Sequence, residues 1–196
     1  MGELAQQLLE AELTSGDGPC TEAAGTRLPV LTADLRQADQ QARWPLLTAM
    51  PHVARVRAVF AFPMLTGSLV AGSLVAGSPA DSVAVGVLVL CPVGPRTLGP
   101  AEQRRAQLFT DAALTLLLGL LTYDGYGDGA VLPFDALTLT AHIHQASGVV
   151  AVQLGCSPDQ ALLRLRAYAF AGNEPLSQVA GQVLAHTLRF SRDRPA

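Results

Sequence analysis

A chain of 196 residues with 49% hydrophobic residues has room for one medium domain or two small ones around a buried core. Turn residues interrupt its apolar runs well before the roughly 18 residues that cross a bilayer, and the N-terminus lacks the pattern of a secretory signal, so we expect a cytoplasmic protein without a membrane span. The formal net charge is −3, yet residues 136–196 carry five arginines against three acidic residues, which places any surface for a polyanion in the C-terminal part.

The N-terminal segment begins with leucines at helical spacing: Leu4, Leu8, Leu9 and Leu13. They predict a short helix that the turn-forming residues 15–19 end. From residue 19 to residue 54 the sequence mixes helix-like pieces with turns, and prolines follow Trp44 and Met50. Proline restricts the residue before it, so we expect short, irregular elements here.

Two runs rich in β-branched and aromatic residues follow, Val56–Phe62 and Val83–Leu90. They predict strands of an antiparallel sheet. Trp44, Phe60 and Phe62 are interpreted as core residues rather than as a ligand cage.

A long helix is predicted from about Gly99 to Leu121. Its apolar residues Leu108, Ala112, Leu116 and Gly119 share one face, and we expect that face to pack along the sheet. The same helix could supply a contact between two copies of the chain. Residues 123–135, rich in glycine, aspartate and tyrosine, are interpreted as a linker.

The last sixty residues predict three amphipathic helices. The first ends at Gly155, and the second starts at the Ser157-Pro158-Asp159-Gln160 segment, which has a serine N-cap, an N1 proline and a glutamine for a capping box. Gly172 and Asn173 stop the second helix, and Pro175 begins the third. Short turns between three such helices predict a compact bundle. The expected core positions are Leu139, Ile143, Ala146, Val150 and Leu154; Ala161, Leu162, Leu165 and Ala169; and Leu176, Val179, Ala180, Val183, Leu184 and Leu188.

Several runs of this bundle resemble the ANTAR family in register: Ala141–Val150, Leu154–Ala161, Leu165–Arg166, Ala169–Phe170 and Leu176–Ala180. The resemblance covers nearly the whole module, residues 136–196. It implies a domain that binds nascent RNA, as paired stem-loops whose formation competes with a terminator. Ser147 departs from the family, where many members carry lysine or threonine, and the loss of a cation there weakens attraction to phosphate.

Residues 1–122 resemble the second part of the GAF domain of actinobacterial GAF-ANTAR regulators, through Gly16–Cys20, Leu28–Val30, Ala42–Pro45 and Val56–Pro63. The resemblance implies a sensory domain of α+β class, with an antiparallel sheet, flanking helices and an unidentified small-molecule ligand. From the resemblance we expect the domain to be N-terminally incomplete, because the helix and strand that usually open it are not found before Gly16–Cys20. A Gly-Ser-Leu-Val-Ala repeat within residues 67–78 looks like an insertion. Because of both departures, the resemblance does not establish that the domain has the family's ligand pocket.

Six side chains of the C-terminal module are candidates for RNA contact, because stem-loop recognition needs cations for phosphate and planar or polar groups for loop bases. The competing interpretation of Arg164 and Arg166 is a solvated helix face. The candidates are Gln145, Ser147, Arg164, Arg166, Tyr168 and Arg189.

Other chemistry has little support in the sequence. The three cysteines are far apart, and His142 and His144 stand two residues apart, which points them to different sides of a helix. The serines lack a nucleophile elbow. We therefore expect no catalytic residue, no metal and no cofactor.

The predicted function is RNA-binding regulation of transcription antitermination by a homodimer that holds two RNA hairpins and is controlled by the sensory domain. One alternative is a DNA-binding repressor that uses the three helices as a helix-turn-helix. A second alternative is a signalling protein that acts through protein partners.

Overall fold

The computed structural model of the chain describes residues 2–66, 69–70, 73–74, 82–122 and 135–191. It divides into two compact units, one of Met1–Leu8 with Asp17–Asp128 and one of Leu9–Gly16 with Gly129–Ala196. The predicted domain limits of 1–122 and 136–196 place residues 9–16 in the first domain, whereas the structure groups them with the C-terminal helices. Of the predicted linker, residues 123–134 lie outside the described residues, and Asp135 begins a helix.

The first unit combines helices with a small sheet, and its first helix continues into the second unit. The helices are α1 (Glu3–Ser15), α2 (Pro19–Thr26), α3 (Ala38–Arg43), α4 (Pro45–Thr48), a 3₁₀ helix (Pro51–Arg55) and α5 (Pro100–Thr122). The strands are β1 (Val30–Thr32), β2 (Val59–Thr66), β3 (Leu69–Val70), β4 (Ser73–Leu74) and β5 (Val83–Leu90). Short elements between residues 19 and 55 agree with the prediction.

The main sheet has the strand order β1-β2-β5, and both pairings are antiparallel. Phe60 lies opposite Leu90, and Phe62 opposite Leu88, so these side chains share one face of the sheet. β5 has the predicted bounds, and β2 begins three residues later than predicted. In the repeat segment, β3 and β4 pair with each other, and the rest of that segment lies outside the described residues.

The core of the first unit confirms the interpretation of its large aromatic residues. Trp44, Phe60 and Phe62 are each at most 2% exposed. Phe60 and Phe62 pack with Ala106 of α5, so α5 lies against the sheet as expected. This mixed α/β arrangement agrees with the predicted class, and the GAF-like identity of the unit stays a prediction.

The predicted packing face of α5 is wrong. Leu108 and Leu116 are 69% and 70% exposed, whereas Ala106 and Thr110 on the opposite side are buried. A helix places residues 106 and 110 on one side and residues 108, 112 and 116 on the other. The side that carries Ala106 and Thr110 therefore meets the sheet.

The second unit contains the three predicted helices: α6 (Asp135–Leu154), α7 (Pro158–Gly172) and α8 (Leu176–Leu184). Their core confirms the predicted inward positions at Ile143, Ala146, Val150, Ala161, Leu165, Ala169, Leu176, Val179, Ala180 and Val183. α8 is shorter than predicted because His186 adopts a left-handed conformation with φ 59°. Leu188 lies beyond the helix and still packs against this core. Among the described helices, none is long and apolar enough to span a membrane.

Candidate nucleic-acid interface

The start of α7 is fixed by a reciprocal pair of hydrogen bonds. The Gln160 amide donates to Ser157 Oγ at 3.3 Å, and the Ser157 amide donates to Gln160 Oε1 at 3.2 Å. This capping box satisfies two backbone donors that a helix start leaves without partners. The capping box fixes the residue at which α7 begins. The first residue of the helix in turn determines which side chains lie on its exposed side.

The start of α8 is capped from a distant part of the sequence. Pro175 stands at the N-cap and offers no side-chain acceptor. Instead the Leu176 amide donates to Thr14 Oγ1 at 3.2 Å. Thr14 belongs to the segment Leu9–Gly16, which we call the strap, and this hydroxyl takes the role of an N-cap side chain.

Three further contacts join the strap to the helices of the second unit. Ser177 Oγ donates to both Glu10 carboxylate oxygens, at 2.8 and 2.9 Å. Leu13 packs against the core of the three helices. Arg166 Nε donates to the Leu13 carbonyl at 3.0 Å. The strap is therefore part of the second unit and packs against its three helices.

Gly16 allows the strap to end against Arg166. A Cβ at Gly16 would lie 2.7 Å from Arg166 Nη1, and the residue has φ +76°, a conformation that favours glycine. Burial lowers the pKa of Arg166. The structure thus gives Arg166 a packing position inside the unit, on the side of α7 that meets the strap.

After α8 the chain turns back towards α7. The amides of Thr187 and Leu188 both donate to the Gln182 carbonyl, at 2.9 and 3.1 Å. The Phe190 amide donates to Gln153 Oε1 at 2.9 Å. The Phe190 ring meets the Tyr168 ring edge-on, with centroids 5.5 Å apart at 65°. These contacts hold residues 188–191 beside α7.

The returning segment and α7 enclose a groove of about 980 Å³. Three of the six predicted site residues line it together: Arg164, Tyr168 and Arg189. We call it the α7 groove. Its other lining residues are Leu154, Cys156, Gln160, Leu163, Ala171, Gly172, Glu174, Leu188, Phe190 and Ser191.

The groove offers cations beside aromatic surface. Arg164 and Arg189 are exposed, and among the described residues neither guanidinium forms an ion pair. Glu174 is the carboxylate among the described lining residues, and it accepts hydrogen bonds from Gln178 and Gln182 at 3.1 Å each. Two guanidinium groups can hold phosphate oxygens, and the rings can stack a base.

Two other predicted residues lie elsewhere. Gln145 is exposed on α6 and does not line the groove. Ser147 is 3% exposed, and its hydroxyl donates to the His144 carbonyl at 2.8 Å. The serine is therefore satisfied by its own helix in the core, and it offers no side-chain group to a ligand in solvent.

Phe190 lines the α7 groove and contacts Tyr168, but it is not among the residues predicted from the sequence. Its signal in the sequence is an aromatic residue directly after the candidate cation Arg189, because single-stranded bases stack on aromatic rings that line a cationic groove. The predicted extension of the third helix to Leu188 hid it, because a continuing helix would carry residue 190 away from α7. The sequence predicts Gln160 only as a capping residue, although this residue also lines the groove.

The two histidines of α6 lie on its surface. His142 and His144 are both exposed. Within the described ranges, no three His, Cys, Asp or Glu side chains come together as metal ligands could.

Residues 135–184 match the family model of the ANTAR domain. The match covers about a quarter of the 196-residue chain and contains all of α6, α7 and α8. No curated protein matches the chain. No solved structure matches it either. The resemblance noted for the C-terminal module is thus supported, whereas the GAF resemblance of residues 1–122 rests on sequence motifs alone.

Proposed function

We propose that this chain is an RNA-binding regulator of transcription antitermination, and that its ANTAR domain holds a paired RNA stem-loop in the α7 groove. An ANTAR domain implies such a regulator rather than an enzyme. The observation that carries the assignment to the groove is the pair Arg164 and Arg189, two exposed cations on one concave surface of that domain.

The chemistry of the groove suits a loop more than a duplex. Its guanidinium groups attract phosphates, and its aromatic edge at Tyr168 and Phe190 suits an unstacked base. Bases of a folded RNA become available for stacking in loops and bulges, whereas A-form pairs present mainly backbone. We therefore propose that the groove takes the loop and the adjoining phosphates of a hairpin.

Arg164→Gln and Arg189→Gln test this proposal in the full chain. Each variant is expected to weaken hairpin binding about 10-fold, since a hydrogen bond to a charged group contributes roughly 1.5 kcal/mol. Tyr168→Leu is expected to weaken hairpin binding about 5- to 150-fold, in line with roughly 1–3 kcal/mol per stacked base. Fluorescence anisotropy with a labelled hairpin at fixed salt measures all three.

Arg55→Gln is the matched control for the loss of one positive charge. Arg55 pairs with Glu3 at an exposed site, where ion pairs contribute little to stability. Its RNA affinity should equal that of the unmodified chain. Unchanged binding by both Arg164→Gln and Arg189→Gln would remove the groove from the proposal.

The DNA-binding alternative is disfavoured by the start of α8, which would have to read bases. Its two polar side chains already have intramolecular partners: Ser177 donates to Glu10, and Gln178 donates to Glu174 at 3.1 Å. A recognition helix needs free base-reading groups near its start. Equal affinity for duplex DNA and for the hairpin would restore this alternative, and no affinity for either would favour action through protein partners.

We further propose that residues 1–122 act as a GAF-like sensory domain and that the active species is a homodimer in the cytoplasm, where nascent RNA is made. The sheet flanked by helices and the sequence motifs support the sensory assignment. Two modest basic grooves acting together gain effective concentration over one, which supports the dimer. A signal bound by residues 1–122 would then change dimerisation or exposure of the ANTAR domain.

A further inference from the structure

Residues 188–191, the returning segment, line the α7 groove without belonging to a helix or a strand. Exposure alternates along them, because Leu188 and Phe190 are partly buried whereas Arg189 and Ser191 are exposed. Such alternation is that of an extended chain, whose successive side chains point to opposite sides. Leu188 and Phe190 pack against the core of the three helices, so Arg189 lies on the outer side, where it lines the groove.

The place of the Arg189 guanidinium depends on the register of the returning segment. A shift by one residue would turn Arg189 inward and Phe190 outward, because the side chains of an extended chain alternate with a period of two. The apolar contacts of Leu188 and Phe190 favour the observed register, but hydrophobic contact is non-directional and does not fix the backbone. A directional contact to the backbone is needed to hold it.

Gln153 of α6 supplies such a contact. Its Oε1 accepts a hydrogen bond from the Phe190 amide at 2.9 Å, and this amide directly follows Arg189 in the chain. Gln153 is partly buried and is not one of the residues that line the groove. Its side chain therefore holds the backbone of the returning segment from behind and leaves the groove itself to Arg164, Tyr168 and Arg189.

We propose that Gln153 is a positioning residue of the RNA site, which fixes the returning segment so that Arg189 and Phe190 are in place before the hairpin binds. This inference rests on the proposed function, because it concerns affinity for the hairpin in the α7 groove. A segment that is already ordered costs less to bind than one that must be ordered by the RNA. Without Gln153, the apparent affinity falls with the fraction of molecules whose segment is in place.

Gln153→Met tests the inference in the full chain, because it keeps the length of the side chain and removes the acceptor. The labelled hairpin should bind about 3- to 10-fold more weakly, since one net hydrogen bond changes the population of the placed segment by about this factor. Gln41→Met is the matched control, the same substitution at an exposed glutamine of α3. Its hairpin affinity should equal that of the unmodified chain.

A double-mutant cycle shows whether Gln153 acts through Arg189. Arg189→Gln weakens binding about 10-fold in the unmodified chain if the proposed function holds. In the Gln153→Met background it should weaken binding only about 2- to 3-fold, because the guanidinium is no longer held in the groove. Arg164→Gln should have the same effect in both backgrounds, since Arg164 belongs to α7 and not to the returning segment. A general loss of stability would leave both arginine effects unchanged.

Hydrogen exchange and thermal melting without RNA test the contact itself. The Phe190 amide should exchange about 5-fold faster or more in Gln153→Met, because its acceptor is gone. Gln153→Glu keeps an acceptor oxygen and should restore slow exchange at this amide. The melting midpoint of Gln153→Met should fall by no more than about 4 °C, which shows that the variant is folded.

The outcomes separate this inference from the proposed function. If Arg189→Gln weakens hairpin binding and Gln153→Met does not, the inference is overturned while the proposed function stands. A full Arg189→Gln effect in the Gln153→Met background overturns it equally, because the two residues then act independently. If neither Arg164→Gln nor Arg189→Gln weakens binding, the proposed groove is wrong, and the inference falls with it even where Phe190 exchange is faster.

Discussion

At the residue scale, Arg164 and Arg166 show that two arginines of the same helix can lie in different environments. They lie two positions apart on α7, which is about 200° around the helix axis. Arg164 faces the α7 groove, while Arg166 faces the strap and donates to the Leu13 carbonyl. We therefore propose RNA contact for Arg164 and a packing role for Arg166.

The ion pair between Asp34 and Arg57 leads to a prediction on pH. Arg57 donates from Nε to Asp34 Oδ1 at 2.8 Å and from Nη2 to Asp34 Oδ2 at 2.5 Å, and these hydrogen bonds lower the pKa of Asp34 to about 2. The folded-state pKa lies below the unfolded value, so the stabilisation is complete above about pH 4. It is lost as the pH falls towards 2. Because both side chains are partly exposed, we expect a contribution of about 1 kcal/mol.

Urea unfolding followed by Trp44 fluorescence between pH 2.5 and 6 measures this effect. Asp34→Asn should be about 1 kcal/mol less stable at pH 6 and should lose less stability on acidification than the unmodified chain. Asp39→Asn, at an exposed carboxylate outside this ion pair, is the control and should be near neutral at pH 6. Parallel pH profiles for Asp34→Asn and the unmodified chain would contradict the assignment.

At the scale of elements, the strap gives a prediction on the start of α8. Thr14 is 4% exposed, and its hydroxyl accepts from the Leu176 amide. Thr14→Val keeps the shape and removes the acceptor, leaving a buried donor without a partner. The expected destabilisation is about 1–2 kcal/mol, from the lost cap and the unsatisfied amide. Faster hydrogen exchange at the Leu176 amide should accompany it.

Thr110→Val is the matched control for that substitution. Thr110 is fully buried on α5, and its hydroxyl donates to the Ala106 carbonyl of its own helix at 2.9 Å. That carbonyl keeps its helical hydrogen bond in the variant, so we expect a smaller loss of stability. If the two variants lose equal stability and Leu176 exchange stays slow, Thr14 does not act as the cap of α8.

At the scale of the whole molecule, a net charge of −3 makes RNA affinity depend on a local cluster of cations. Each neutralised phosphate contributes a slope of about −0.7 to −0.9 in log affinity against log salt. In the proposed homodimer, an RNA with two hairpins would engage two α7 grooves. Its slope should therefore be about twice the slope for one hairpin, measured by anisotropy from 50 to 300 mM salt. Equal slopes would indicate that one groove binds in both cases.

The sequence by itself determined the elements whose stabilising contacts are local. The capping box at Ser157 and Gln160 joins residues three apart, and the inward stripes of α6, α7 and α8 repeat every three or four residues. Such patterns can be read without the fold because they depend only on helix periodicity. The β5 bounds followed in the same way from a run of β-branched residues.

Only the tertiary structure decided which face of each element is buried and which chain segment covers that face. The strap reaches Arg166 across more than 150 residues of sequence, and the segment around Phe190 turns back over α7 after a left-handed His186. α5 packs through Ala106 and leaves Leu108 outside, against its hydrophobic pattern. Hydrophobicity is non-directional, so a sequence shows that a face is apolar, whereas the partner that covers it depends on chain segments brought together by folding.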